Sequence, residues 1–145
     1  NYMIEKFFNF YSKDPDNAYS FYVYPVNNFP VGQGADGFAI NTNHLKGIKT
    51  FYDKVVKEYK ELFLNDDLWI SYFLYFIKKT KIFSLREHLK KDSQGNISLI
   101  YTKDKKNKGL IETYGEDLKK AVENRDKIGI QSFKYMREKT KDLSF

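Results

Sequence analysis

Two short stretches of the sequence combine residue types and spacing suited to chemistry at a binding site. Three of the six residues 32–37 are glycine, which predicts a loop with unusual backbone conformations. Asp66 and Asp67 follow Asn65, a predicted helix N-cap, so both carboxylates fall in a first helical turn, where the helix dipole favours negative charge. Taken singly, a tight turn and ordinary helix capping explain these two features equally well.

Metal and thiol chemistry is limited to few side chains. The chain contains no cysteine, which excludes disulfides, zinc–thiolate sites and thiol catalysis. Any metal ion must therefore be held by oxygen ligands or by the two histidines, His44 and His88. His44 fits the start of a predicted helix, and His88, which stands between Arg86 and Lys90, also fits a solvated surface position.

Apolar residues at intervals of three or four predict four helical segments. They cover residues 2–11, 44–63, 68–79 and 116–139, and the last segment is expected to be interrupted at Gly129. Residues 44–63 predict one amphipathic helix of about five turns. Residues 68–79 are apolar nearly all round, so we expect this helix to be buried on most sides.

Strand signals alternate with these helices. Aromatic and β-branched residues predict strands at residues 21–26, 81–85 and 96–101, and Pro25 restricts the first to a sheet edge or ends it. The glycine-containing residues 27–40 are predicted to form a loop. The pattern therefore favours an α/β fold in a single domain spanning residues 1–145, with a helical tail from about residue 115.

The charge balance bears on the class of partner. The 145 residues carry a net charge of +6, but lysine supplies most of it, and arginine occurs only at Arg86, Arg125 and Arg137. Because arginine is the usual specific reader of phosphate and guanine, we expect a solvated lysine surface and no nucleic-acid partner. Nucleic-acid binding would need the lysines of residues 103–108 and 119–134 on one face.

The chain has no apolar run of the roughly 18 to 20 residues that a membrane span needs, so we expect a soluble, cytoplasmic protein. Its aromatic content of 18% argues against intrinsic disorder. The sequence begins at Asn1 rather than at methionine, and an apolar segment follows at once. We therefore expect a fragment whose upstream part is missing.

The order of these features resembles the C-terminal half of glycosyltransferases with the GT-A fold, the nucleotide-diphospho-sugar transferases. Residues 32–38 (GQGADGF) are similar to the glycine loop of that family, and residues 65–67 (NDD) are similar to its x-Glu-Asp motif. His88 is similar to its C-terminal histidine. Residues 14–16 (DPD) follow a polar turn and do not match the Asp-x-Asp metal motif of the family, which is expected upstream.

The resemblance implies transfer of a sugar from a nucleotide-diphosphate donor to an acceptor hydroxyl. It implies that Asp67 is the catalytic base and that Asp66 holds donor or acceptor hydroxyls. The implied substrate contacts are Gly34, Asp36, Gly37 and Trp69. Trp69 fits a core position as well, because aromatic faces pack in cores and stack on sugar rings alike. His88 would bind a divalent ion, Mn²⁺ by resemblance, that neutralises the leaving diphosphate.

The fold implied by the resemblance is an α/β, GT-A-like mixed sheet flanked by helices, of which this chain is the acceptor-side part. The implied partners are a nucleotide-sugar donor and a glycan or other hydroxyl acceptor, and the fragment alone is expected to be inactive. The alternative function is a non-catalytic binding or interaction domain, either a degenerate transferase or a lysine-rich module for acidic partners.

Overall fold

Helices account for most of the described residues. The computed structural model describes residues 2–34, 37–63, 65–85 and 118–145. The helices are α1 (Tyr2–Lys13), α2 (Ile48–Phe51, continued by a π-helical turn at Tyr52–Val56), α3 (Lys60–Phe63), α4 (Asp66–Tyr72, continued by a π-helical turn at Phe73–Ile77) and α5 (Leu118–Thr140). A 3₁₀ turn at Thr42–Leu45 precedes α2. Within the described ranges, none of the helices combines the length and the hydropathy needed to cross a membrane.

Among the described residues, five short strands form two sheets. They are β1 (Ala18–Ser20), β2 (Val23–Val26), β3 (Phe29–Gly32), β4 (Phe38–Ala39) and β5 (Ile82–Ser84). One sheet has the order β4-β1-β5, in which β1 is antiparallel to β4 and parallel to β5. The other is the antiparallel pair of β2 and β3. The predicted α/β class is confirmed, and the three-stranded sheet is mixed.

The turn and the second strand of a tight hairpin lie where the sequence predicted a loop. Asn27 and Asn28 have φ angles of 45° and 66°, the left-handed region that asparagine tolerates, and they join β2 to β3 with Val26 opposite Phe29. The prediction of one loop over residues 27–40 is therefore wrong. Gly32, the first glycine of the motif, ends β3, and Phe38, its last residue, begins β4.

Phe29 lies at the centre of the largest apolar core. Its side chain is buried, and its ring centroid lies 5.4 Å from that of Phe76 and 5.2 Å from that of Phe133. The hairpin, α4 with its continuation, and α5 thus share one core. A smaller cluster of Ala18, Leu74 and Ile82 packs beneath the mixed sheet. These two clusters fix the helix that carries Asp66 and Asp67 against both sheets.

Several predicted elements are confirmed. Residues 2–11 lie in α1, residues 68–79 largely coincide with α4 and its continuation, and residues 81–85 contain β5. The strand predicted over residues 21–26 is confirmed only as β2, and β1 was not predicted. The strand predicted over residues 96–101 lies outside the described residues.

Two helix predictions that involve a glycine are wrong. Residues 44–63 do not form one helix, because Gly47 adopts a left-handed φ of 87° and separates the 3₁₀ turn from α2, and a second break precedes α3. The predicted interruption at Gly129 is also wrong, since α5 runs through this residue. Gly129 is buried, and a Cβ built there would lie 3.6 Å from a methyl carbon of Val26, an ordinary van der Waals distance, so α5 packs on β2 at this position.

Candidate functional site

The two predicted motifs meet through one hydrogen bond. The backbone N–H of Gly34, just after β3, donates to Oδ1 of Asp67 at the start of α4, with an N···O distance of 2.8 Å. Gly34 is exposed and Asp67 is half-buried. A backbone amide that binds one carboxylate oxygen restricts how the carboxylate can rotate. The contact therefore holds the predicted base in one orientation beside the glycine loop.

The glycines are required by close approach. A Cβ built on Gly34 would lie 2.7 Å from Oδ1 of Asp67, a distance that Cβ atoms essentially never show. At Gly32 the same atom would lie 2.7 Å from the ring of Phe38 and 3.0 Å from Cβ of Ser20. Side chains at either position would thus push the strand or the carboxylate away.

Hydrogen bonds close the loop behind Gly34. The N–H of Gly37 donates to the carbonyl of Gly34 at 3.0 Å, and Gly37 has a φ of 113°, which other residues rarely adopt. The hydroxyl of Ser20 lies 3.0 Å from the carbonyl of Gln33 and 2.9 Å from that of Tyr22. The N–H of Gln33 also donates to the carbonyl of Tyr22. The loop is therefore fixed on the side of β1 and β2 as well as on the side of α4.

Asp66 presents a second carboxylate at the start of α4. It is exposed, and its Oδ1 accepts the N–H of Asp67 at 3.0 Å. Asn65 occupies the N-cap position of α4, as predicted, but its side chain makes no capping hydrogen bond, and its carbonyl accepts the N–H of Trp69 at 3.4 Å. The aspartates are therefore placed by the packing of α4 and by Gly34.

Trp69 lies on a different face of α4 from Asp67. Its ring stacks with Phe51 at a centroid distance of 6.3 Å and contacts Tyr52 at 5.8 Å. Trp69 is half-buried and packed against the main core. The structure thus does not bring Trp69 together with Gly34, whereas it does bring Asp67 and Gly34 together. Asp36 and His88 lie outside the described residues.

Ser71 is a residue of this site that sequence reasoning missed. Its Oγ accepts the N–H of Gly32 at 3.0 Å, and both residues are buried. The available signal was its position four residues after Asp67, which places both on one helix face. Within an otherwise apolar helix, a serine gave no other indication of a role.

The described residues do not form a metal site. No three histidine, cysteine, aspartate or glutamate side chains among them come close enough together to hold an ion. Nδ1 of His44 is hydrogen-bonded to Oγ1 of the buried Thr80 at 3.0 Å. An open cavity of about 470 Å³ is lined by none of the predicted site residues, and its walls are formed by Phe10, Tyr19, Val23, Ile82, Phe83, Ser84 and Leu85.

Comparisons with protein-family models, with curated proteins and with solved structures find no match to the chain. Function is therefore inferred from its own residues and from their geometry.

Proposed function

We propose that the chain is the acceptor-side part of a GT-A-type glycosyltransferase, which moves a sugar from a nucleotide-diphosphate donor to an acceptor hydroxyl. One observation supports this proposal above the others. The hydrogen bond from Gly34 to Asp67 joins the glycine loop to the acidic helix start across 33 positions of sequence. If residues 32–37 were only a tight turn and the two aspartates only an ordinary helix start, no contact between them would be required.

In the proposed reaction, Asp67 acts as the general base. Its carboxylate takes the proton from the acceptor hydroxyl while that oxygen bonds to the anomeric carbon, and the bond from this carbon to the nucleoside diphosphate breaks. A carboxylate offers about four acceptor positions, so the hydrogen bond with Gly34 is compatible with this role. Asp66, exposed beside it, is proposed to hold donor or acceptor hydroxyls.

The remaining parts of the proposal concern groups beyond the described residues. Mn²⁺ would neutralise the charge of the leaving diphosphate. Its proposed ligands are His88 and an Asp-x-Asp motif upstream of this sequence. The proposed acceptor is a glycan or another hydroxyl compound, and a cytoplasmic location remains a prediction.

The test is a transfer assay on the full-length protein, with a panel of nucleotide-diphosphate sugars and Mn²⁺. Asp67→Asn keeps an oxygen that can accept from Gly34, so we expect a folded protein whose kcat falls by about 10² or more. Asp53→Asn is the matched control, because Asp53 is an exposed aspartate paired with Lys49 on α2. We expect the control to keep the activity of the wild type.

Full turnover by Asp67→Asn would remove this residue from the mechanism. If the wild type neither transfers sugar nor hydrolyses any donor, the transferase proposal fails. Titration calorimetry with the same donors then tests the alternative, a sugar-binding domain without catalysis.

A further inference from the structure

The two edges of β3 face different partners. The outer edge, which is the edge away from β2, faces the helix α4 instead of another strand. The inner edge pairs with β2, where Val31 lies opposite Tyr24. Because backbone groups alternate along a strand, the N–H groups at positions 30, 32 and 34 point to the outer edge. Pro30 has no N–H, Gly32 donates to Ser71, and Gly34 donates to Asp67. Each donor of this edge thus has a partner on α4.

The spacing of the two acceptors matches the spacing of the two donors. Gly32 ends β3 and Gly34 lies two residues further along the chain, a separation of about 6.6 Å if the chain between them is extended. Asp67 and Ser71 are four residues apart on a helix, with an axial separation of about 6 Å. The two separations are similar, so one turn of α4 presents both acceptors to the two N–H groups at once.

The bond at Ser71 is the more constrained of the two. Both its partners are buried, whereas Gly34 is exposed. Gly32 is also pressed from its other side by Phe38 and Ser20, which leaves no space for a Cβ. Loss of the Ser71 hydroxyl would leave a buried N–H without an acceptor, which is costly. The strand can then regain a partner only by shifting, and a shift moves Gly34 relative to Asp67.

We infer that Ser71 is a positioning residue: by holding Gly32 on α4, it sets the register in which Gly34 orients the Asp67 carboxylate. This inference rests on the proposed transferase function. Ser71 acts through the backbone and through Asp67, and it is not assigned any contact with substrate.

The test compares Ser71→Ala with Ser71→Thr and Ser132→Ala in the full-length enzyme. Ser71→Ala is expected to lower kcat about tenfold or more, because misplacement by about 1 Å has effects of this size, while the KM for the donor stays within about twofold. Ser71→Thr keeps the hydroxyl and is expected to recover most of kcat. Ser132→Ala is the matched control, since Ser132 is buried in α5 and its Oγ has no hydrogen-bond partner among the described residues.

A double variant separates positioning from general destabilisation. If Ser71 acts through Asp67, adding Ser71→Ala to Asp67→Asn lowers kcat no further. Unchanged kcat in Ser71→Ala would overturn the inference. So would equal losses in Ser71→Ala and Ser132→Ala, or full additivity in the double variant.

A second measurement keeps the inference testable if the transferase proposal fails. Amide hydrogen exchange, followed residue by residue by NMR, reports the Gly34 N–H directly. We expect exchange at Gly34 to accelerate about tenfold or more in Ser71→Ala and to stay unchanged in Ser132→Ala. Equal protection of Gly34 in the wild type and in Ser71→Ala would overturn the assigned register whether or not the protein is an enzyme.

Discussion

Gly34 and Gly129 differ in the space around them. At Gly34, a Cβ would lie 2.7 Å from a carboxylate oxygen of Asp67. At Gly129, inside α5, a Cβ would lie 3.6 Å from Val26, which is ordinary van der Waals contact. The first position excludes a side chain because of a hydrogen-bonded partner, and the second does not exclude alanine.

Alanine substitutions at these two glycines should therefore have opposite effects. Gly34→Ala should lower the free energy of unfolding by about 1 kcal/mol, because the Asp67 carboxylate must move and its hydrogen bond with the N–H of residue 34 is lost. Gly129→Ala should raise it by about 0.5–1 kcal/mol, because alanine loses less conformational entropy in a helix. Urea unfolding of both variants measures the difference. If Gly34→Ala is as stable as the wild type, the carboxylate of Asp67 does not lie where the structure places it.

Ionisation of Tyr72 should make the free energy of unfolding depend on pH. Burial raises the pKa of this tyrosine, although the hydrogen bond with Thr140 and the charge of Arg137 oppose the shift. The Tyr72 hydroxyl lies 2.9 Å from Oγ1 of Thr140. The folded chain thus keeps a proton that the unfolded chain loses near pH 10. The stabilising contribution is present below pH 10 and is lost as the pH rises above it.

We expect the free energy of unfolding of the wild type to fall above pH 10 and that of Tyr72→Phe to fall less steeply. At pH 7, Tyr72→Phe should cost about 1 kcal/mol, the usual value of one hydrogen bond. Burial also raises the pKa values of Tyr19 and Tyr135, so part of the slope should remain. Unfolding measured from pH 7 to pH 11 tests this prediction.

Thr140→Val provides the control for that experiment. It removes the same hydrogen bond but leaves the titrating phenol of Tyr72 in place, so the slope above pH 10 should persist. Identical slopes for the wild type and for Tyr72→Phe would show that Tyr72 does not contribute.

At the scale of elements, α5 is attached to the rest of the chain by an aromatic contact. Phe133 is buried, and its ring stacks on Phe29 at 5.2 Å and contacts Phe76 at 5.7 Å. Met136, one turn later, is buried as well. The helix therefore completes the core that the hairpin and α4 begin.

Removal of the Phe133 ring should be among the most destabilising single changes. Phe133→Ala should lower the free energy of unfolding by about 3–5 kcal/mol, through lost burial and the cavity left behind. Phe63→Ala is the matched control, since that ring is 59% exposed, and its effect should stay within about 0.5 kcal/mol. Urea unfolding compares the two. Similar losses for both would contradict the packing of α5 on the hairpin.

Elements set by the local sequence pattern could be predicted, whereas elements set by contacts between distant residues could not. Helices α1 and α4 and strand β5 have clear periodicity, so local pattern was sufficient. The break at Gly47, the continuity through Gly129 and the strand β3 depend on contacts with distant residues, such as Val26 beneath Gly129. The spacing of apolar residues does not report such contacts, so predictions from this spacing and from residue propensities were wrong at these positions.

The candidate site likewise combines residues that the sequence pattern suggested with one that it did not. The order of the glycine loop and the acidic helix start suggested that Gly34 and Asp67 belong together, and their contact is consistent with that hypothesis. Ser71 was missed because its partner is a backbone N–H 39 positions away. Trp69 was paired with the site by sequence proximity, but helical geometry turns its ring towards Phe51.

At the scale of the whole molecule, the proposed function predicts a dependence on upstream sequence. A donor-binding region, with a strand that ends in Asp-x-Asp, should lie within about 100 residues before Asn1, the size of one further domain part. The 145-residue chain alone should show no donor hydrolysis with Mn²⁺, whereas the extended chain should be active. Equal activity of the two chains would show that the donor site lies within the present sequence.

The mixed sheet also has a consequence for the order of folding. The hairpin of β2 and β3 needs only its two-residue turn, and isolated hairpins form in about 1–10 μs. The parallel pairing of β1 with β5, in which Ala18 lies opposite Ile82, joins the two ends of residues 18–85 and closes a long loop. This pairing should be among the last contacts to form. Gly34 and Asp67 lie inside that loop and are 33 positions apart, so their hydrogen bond closes a shorter loop and should form before β1 pairs with β5. A chain released before β5 is synthesised would already contain the candidate site but would lack one strand of the mixed sheet.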